Sequence, residues 1–148
     1  MPDGREPIAV KVQENIGAIA PSEWDACAGI DNPFVRHTFL RALEDSGSVG
    51  KESGWLPQHL TIEDETGQLL GAVPMYLKNH SQGEYVFDHG WADAFERAGG
   101  RYYPKMQVSV PFTPATGPRL LIRAGAAANN EEIAALKGAL LSTCIQCT

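Results

Sequence analysis

The sequence predicts an α/β fold of the α+β kind, a mixed and mainly antiparallel sheet flanked by helices. Three observations lead there. Segments whose apolar residues alternate are interspersed with segments whose apolar residues recur every three or four positions. Two of the alternating segments face each other across a "DETG" turn, the pattern of a β-hairpin. With 43% hydrophobic and 20% charged residues, 148 positions suit one domain that buries a core.

The elements follow in order. "IAVKV", Ile8 to Val12, alternates with period two and is a first strand. "PSEWDACAG" is a short helix, with Ser22 as its expected N-cap and Glu23 and Asp25 in its first turn. In "DNPFVRHTFLRALEDSGSVG", Asn32 caps a longer helix and Pro33 takes its first position, where a missing N–H costs nothing. Phe34, Val35, Thr38, Phe39, Ala42 and Leu43 make its apolar stripe, and Gly47 and Gly50 end it.

His59 to Glu63 is the outgoing strand of the hairpin, and Gln68 to Lys78 its longer return. Pro74 within the return demands an edge, a bulge or a kink. Glu84 to Phe87 is a short strand leading to a polar corner, and "ADAFERAGG" is two turns of helix closed by glycines. Lys105 to Val110 is another strand, and "PRLLI" one more. The last helix opens with Asn129 and Glu132 at capping-box spacing and buries Ile133, Leu136, Leu140 and Cys144. The chain stops where such a layout would supply a further strand, so an incomplete domain is expected.

Composition excludes several function classes. A formal charge of -6 disfavours non-specific nucleic-acid binding, which depends on neutralising phosphates. No apolar run approaches the roughly 20 residues of a membrane helix, and no secretory leader is visible, so a cytoplasmic location is expected. "CIQC", Cys144 to Cys147, has neither a second ligand pair for zinc nor a helix N-terminus to activate a thiol. No metal site is expected. Glycine-rich phosphate loops and the Gly-x-Ser-x-Gly nucleophile turn are absent.

Two places retain chemistry. "FDHGW" sets Asp88 and His89 beside Trp91 at a strand end, where functional loops gather. "YYPKMQVSVPFTPATGPRLL", Tyr102 to Leu121, carries four prolines around an alternating core. Met106, Val108, Val110 and Phe112 fall on one side of that core, and Lys105, Gln107 and Ser109 on the other. Tyr102, Tyr103, Lys105 and Arg119 beside a rigid extended backbone suit a groove for an anionic or carbonyl group. A proline-blunted sheet edge explains the same prolines.

These residues also resemble a known family. "NPFVRHTFLRALEDSGSVG", "GWLPQHLTIED" and "LLGAVPMYLKNHSQGEYVFDHGWADAFERAGGRYYPKMQVSVPFTPATGPRLL" look like the first part of bacterial FemAB-like proteins, labelled peptidoglycan biosynthesis or recognition proteins. The resemblance runs from about Trp24 to Ile122 and implies a GNAT-like acyltransferase architecture, of which residues 1–148 would be the N-terminal portion. It implies an N-acyltransferase or aminoacyltransferase acting on an amine acceptor such as a cell-wall precursor, or a non-catalytic module that binds a cell-wall peptide. The donor would be acyl-CoA or aminoacyl-tRNA, and no cofactor is expected on these residues. Within this reading Asp88 or His89 is the proton acceptor or a substrate contact. Trp91, Tyr102, Tyr103, Lys105, Gln107 and Arg119 line the acceptor groove.

Overall fold

The structure, a computed structural model, describes residues 7–82 and 88–147. Its elements run β1 (Lys11–Gln13), α1 (Pro21–Ala28), α2 (His37–Asp45), β2 (Trp55–Pro57), β3 (His59–Glu63), β4 (Leu69–Val73), β5 (Tyr76–Lys78), α3 (His89–Arg97), β6 (Lys105–Gln107), β7 (Leu121–Ile122) and α4 (Asn130–Gln146). Two sheets form, β1-β3-β4-β7 and β2-β5-β6, and all the described pairings are antiparallel. The expected α+β class holds.

One bent hairpin builds both sheets. The expected return strand divides at Pro74, because proline has no N–H to offer the ladder. β4 pairs with β3 in one sheet, and β5 pairs with β2 in the other. The bend itself is tied down. Gln58 donates its N–H to the Met75 carbonyl at 2.8 Å, and the Met75 N–H turns to Nδ1 of His59 at 3.2 Å. That bond leaves the proton of this buried imidazole on Nε2, which lies 3.1 Å from a carboxylate oxygen of Glu44.

The four-stranded sheet is covered on both faces. On one face, Trp24 and Cys27 of α1 and Leu40 of α2 pack with Leu69, Ala72 and Leu121. On the other, Leu136 and Leu140 of α4 pack with Leu60, Ile62 and Val73. A register shift at Ile62/Glu63 lets Leu69 join Ala72 on the α1 side. Of the stripe expected on α4, Leu136 and Leu140 are buried, and Ile133 and Cys144 are half-buried. Asn129 accepts the Glu132 N–H at 2.9 Å, and Glu132 reaches back to the Ala128 N–H at 2.8 Å.

Several expectations are corrected. Ala20, not Ser22, occupies the N-cap of α1, since Pro21 takes the first helical position. Asn32 does cap, accepting the Phe34 N–H at 2.9 Å, but over a single 3₁₀ turn, Pro33–Val35. Arg36 is then extended, and α2 begins at His37. Tertiary bonds cause the break. Trp24 donates its indole N–H to the Val35 carbonyl at 2.8 Å, and Asp25 accepts the His37 N–H at 2.8 Å. The buried face of α2 is therefore His37 and Leu40, while Thr38 and Ala42 are exposed. The strand expected to Val110 ends at Gln107. The strand expected over Glu84 to Phe87 lies outside the described residues.

Candidate functional site

The three-stranded sheet positions the site by its register. Trp55, Lys78 and Lys105 are paired across it, as are Pro57, Tyr76 and Gln107. Paired residues two apart point the same way, so one face carries Trp55, Tyr76, Lys78, Lys105 and Gln107. A cleft of about 330 Å³ opens on that face, between β6 and the turn that follows it. Trp55 and Phe112 supply its apolar wall, and Asp88, Tyr102, Lys105, Gln107 and Ser109 its polar groups. Apolar walls with a few convergent polar groups are the usual make-up of a small-ligand site.

Asp88 is the hub. It sits at the N-cap position of α3, where its side chain makes no capping bond. The carboxylate is spent elsewhere. Tyr102 donates to Oδ2 at 2.8 Å, Tyr103 to Oδ1 at 2.9 Å, and Lys105 forms an ion pair with Oδ2. Burial acts to raise the Asp88 pKa, but hydrogen bonds from Lys105, Tyr102 and Tyr103 outweigh it and hold the carboxyl well below the usual range. The Lys105 ammonium is in turn fixed by the Tyr102 hydroxyl at 2.8 Å and lies 4.2 Å from the centre of that ring. Burial acts to lower the Lys105 pKa, and its bonds to Asp88 and Tyr102 more than reverse that.

A second line of donors reaches Asp88 from Lys78, on the same face of the sheet. Lys78, fully buried with its ammonium 4.4 Å from the centre of the Trp55 ring, donates to Ser81 at 3.1 Å. Ser81 Oγ bonds the Tyr103 hydroxyl, which itself donates a hydrogen bond to Asp88. Because an ionised carboxylate only accepts, every hydrogen bond in this chain points toward Asp88. Burial is the first cause holding the Tyr103 phenol above its ordinary pKa, and Asp88 adds to it.

Phe112 closes the cleft with its backbone at φ 65°, a left-handed conformation uncommon for an aromatic residue. Its ring packs 5.1 Å from Trp55. Once the chain leaves β6, alternation no longer applies. Met106 and Val108 pack against the cluster that holds Leu136 and Leu140, and Val110 is buried as its side of the strand predicts, but Val110 and Phe112 also line the cleft.

The residues singled out by sequence therefore divide. Asp88, Tyr102, Tyr103, Lys105 and Gln107 come together. His89 is in the exposed first turn of α3, outside the cleft lining, and Trp91 stands 76% exposed on the same helix. Arg119 bonds the Ala115 carbonyl at 2.6 Å and braces the proline-rich exit, apart from the cleft. Trp55, Lys78 and Ser81 were not singled out. The signal for Lys78 was its place in the return strand, which the register sets directly opposite Lys105. Among the described residues no cluster of His, Cys, Asp and Glu could hold a metal ion, and no helix is long and apolar enough to cross a membrane.

Comparison with curated proteins and with solved structures gives no match. A family model does match, over residues 15–147, and it takes in every described strand except β1, together with the cleft and α4. Its description is FemAB-like, peptidoglycan biosynthesis/recognition. The chain belongs to this FemAB-like family of peptidoglycan biosynthesis and recognition proteins.

Proposed function

We propose that the cleft binds the peptide of a cell-wall precursor through its carbonyl or carboxylate oxygens, and that this peptide is the amine acceptor in acyl or aminoacyl transfer. The observation that carries this reading is the Lys105 ammonium, held at the cleft wall by Asp88 and Tyr102. A fixed cation beside an apolar wall selects an oxygen-bearing, partly apolar ligand, and orientation is paid for before binding. Gln107 and Ser109, joined at 2.8 Å, add neutral partners for amide groups. The donor would be a CoA thioester or an aminoacyl ester, and its acyl carbon would be attacked by the peptide amine. A GNAT-like architecture would suit that chemistry, with these residues contributing the acceptor side.

Recognition without catalysis has one observation in its favour. Both Asp88 oxygens already accept hydrogen bonds and its pKa is lowered, which makes it a poor proton acceptor. Asp88 fits the role of the anion that positions Lys105 and two phenols.

Titration of the chain with a synthetic cell-wall stem peptide, followed by calorimetry and thermal shift, tests the main reading. Binding is expected, and Lys105→Ala should weaken it about tenfold, the scale of one charge-assisted hydrogen bond. Equal affinity in the variant, or no binding by the parent chain, would overturn it. Acyl transfer to the bound peptide from a CoA thioester or an aminoacyl ester separates catalysis from recognition.

A further inference from the structure

The bend at Pro74 depends on the tautomer of one imidazole. His59 is completely buried at the start of β3, and its Nδ1 accepts the Met75 N–H at 3.2 Å. Its Nε2 faces Glu44 of α2 at 3.1 Å, and Glu44 also takes the Ile16 N–H at 2.9 Å. Two more rings meet it edge-on, Trp24 of α1 at 5.6 Å between centroids and Tyr76 of β5 at 5.2 Å. Gln13 of β1 is its partner across the ladder. Burial keeps the Tyr76 phenol neutral, so the charge that meets this imidazole is the Glu44 carboxylate.

A proton added to His59 has one place to go. Nε2 already carries its hydrogen, so the newcomer enters at Nδ1, where the Met75 N–H points. Two donors cannot share that bond. The Met75 N–H, on a completely buried residue, is then left without its acceptor, a cost that opening the bend relieves. Glu44 makes the event feasible, because a carboxylate at Nε2 gives a buried imidazolium its counter-charge.

The strand beyond the bend reaches the cleft. Tyr76 pairs with Gln107 and meets the Trp55 ring edge-on at 5.4 Å, and Lys78 pairs with Lys105. Trp55, Lys105 and Gln107 all line the cleft. We propose that His59 is a proton-operated clasp: neutral, it holds β5 in the arrangement that shapes the cleft, and protonated, it frees Met75 and releases the ligand. The inference rests on the reading of the cleft as a peptide site and adds its regulation, release in the mildly acidic range where imidazoles titrate. Asp88 stays ionised there, since its carboxyl is held well below the usual range, so the clasp and the anion of the cleft respond in separate windows of pH.

Imidazole nitrogen NMR of the isotope-labelled chain reads the clasp directly. At about pH 7.5 the His59 signals should show Nδ1 bare and Nε2 protonated. At about pH 5.5 Nδ1 should carry a proton, and the protection of the Met75 amide against hydrogen exchange should fall about tenfold. Affinity for a synthetic stem peptide should fall about tenfold with it. His59→Asn keeps an acceptor for the Met75 N–H and cannot titrate, so its peptide affinity should be equal at the two pH values, with His37, His80 and His89 left in place. Glu44→Gln keeps the acceptor and removes the charge, so more acid should be needed for the same response. Far-ultraviolet circular dichroism verifies that each variant folds, and the measurements on the parent chain stand without them.

The proposal is overturned, and the peptide site spared, by a proton on Nδ1 at the higher pH or by a His59 that takes up none before the chain unfolds. Met75 protection or peptide affinity that is unchanged by the proton has the same consequence, as does an acid response that persists in His59→Asn. Loss of Met75 protection with no peptide bound at either pH overturns the cleft reading and spares the clasp at the bend.

Discussion

Tyr102 donates its hydroxyl to Asp88 at 2.8 Å across fourteen positions of sequence, joining the chain just before β6 to the start of α3. Tyr103 takes the other carboxylate oxygen at 2.9 Å. Two adjacent tyrosines and Lys105 thus converge on one anion, and the cleft depends on that anion remaining charged.

The sign of its pH dependence follows. The folded pKa of Asp88 lies below the unfolded value of about 3.9, so the stability it contributes is complete above about pH 5. That contribution fades as pH falls below about 4 toward the depressed folded value. Thermal unfolding across pH should show Asp88→Asn less stable than the parent at pH 7 by about 1–3 kcal/mol, with the gap narrowing in acid. A gap that stays constant down to pH 3 would contradict the assignment.

The break between the 3₁₀ turn and α2 makes a second test. Asp25 caps α2 from a different helix by accepting the His37 N–H at 2.8 Å. Asp25→Ala should cost about 1 kcal/mol in urea unfolding, and Asp25→Asn much less, because asparagine caps equally well. Equal losses in both variants would point to charge and away from capping.

Tyr76 is completely buried, and its hydroxyl has no hydrogen-bond partner among the described residues. Burial, with the nearby Glu44 carboxylate, raises its pKa far beyond the ordinary tyrosine range. Removing an unsatisfied buried hydroxyl relieves a desolvation cost, so Tyr76→Phe should stabilise the protein by about 1 kcal/mol. Calorimetry would read this as a higher Tm, and a lower one would mean that the hydroxyl has a partner.

The cysteines should react in a fixed order. Burial pushes the Cys27 thiol up to about 11, against the opposing influence of Arg123, and burial also raises Cys144. Cys147 is exposed. Iodoacetamide at pH 7.5, followed by mass spectrometry, should label Cys147 first and Cys27 only on unfolding. Early labelling of Cys27 would show that α1 opens readily.

Local rules made much of this protein legible. The hairpin, the capping pair at Asn129 and Glu132, and the closure of α3 at Gly99 are short-range matters, decided by turn chemistry and orphan backbone groups. Periodicity located Leu136 and Leu140, and it placed Lys105 and Gln107 on the polar side of their strand. It failed on α2, where Thr38 and Ala42 fitted the stripe but face solvent. There the Trp24–Val35 and Asp25–His37 bonds override a helix that propensity alone would have begun at Pro33.

The candidate site divides along the same line. Residue types and a clustered motif sufficed to single out Asp88, Tyr102, Tyr103 and Lys105. That Lys78 and Ser81 join them, and that Arg119 stands apart, was decided by pairing register and by the bend at Pro74. Sequence determines which groups can donate or accept and which way a strand's side chains alternate. Only long-range pairing chooses which of those groups share a face, because register is set by contacts between segments far apart in the chain.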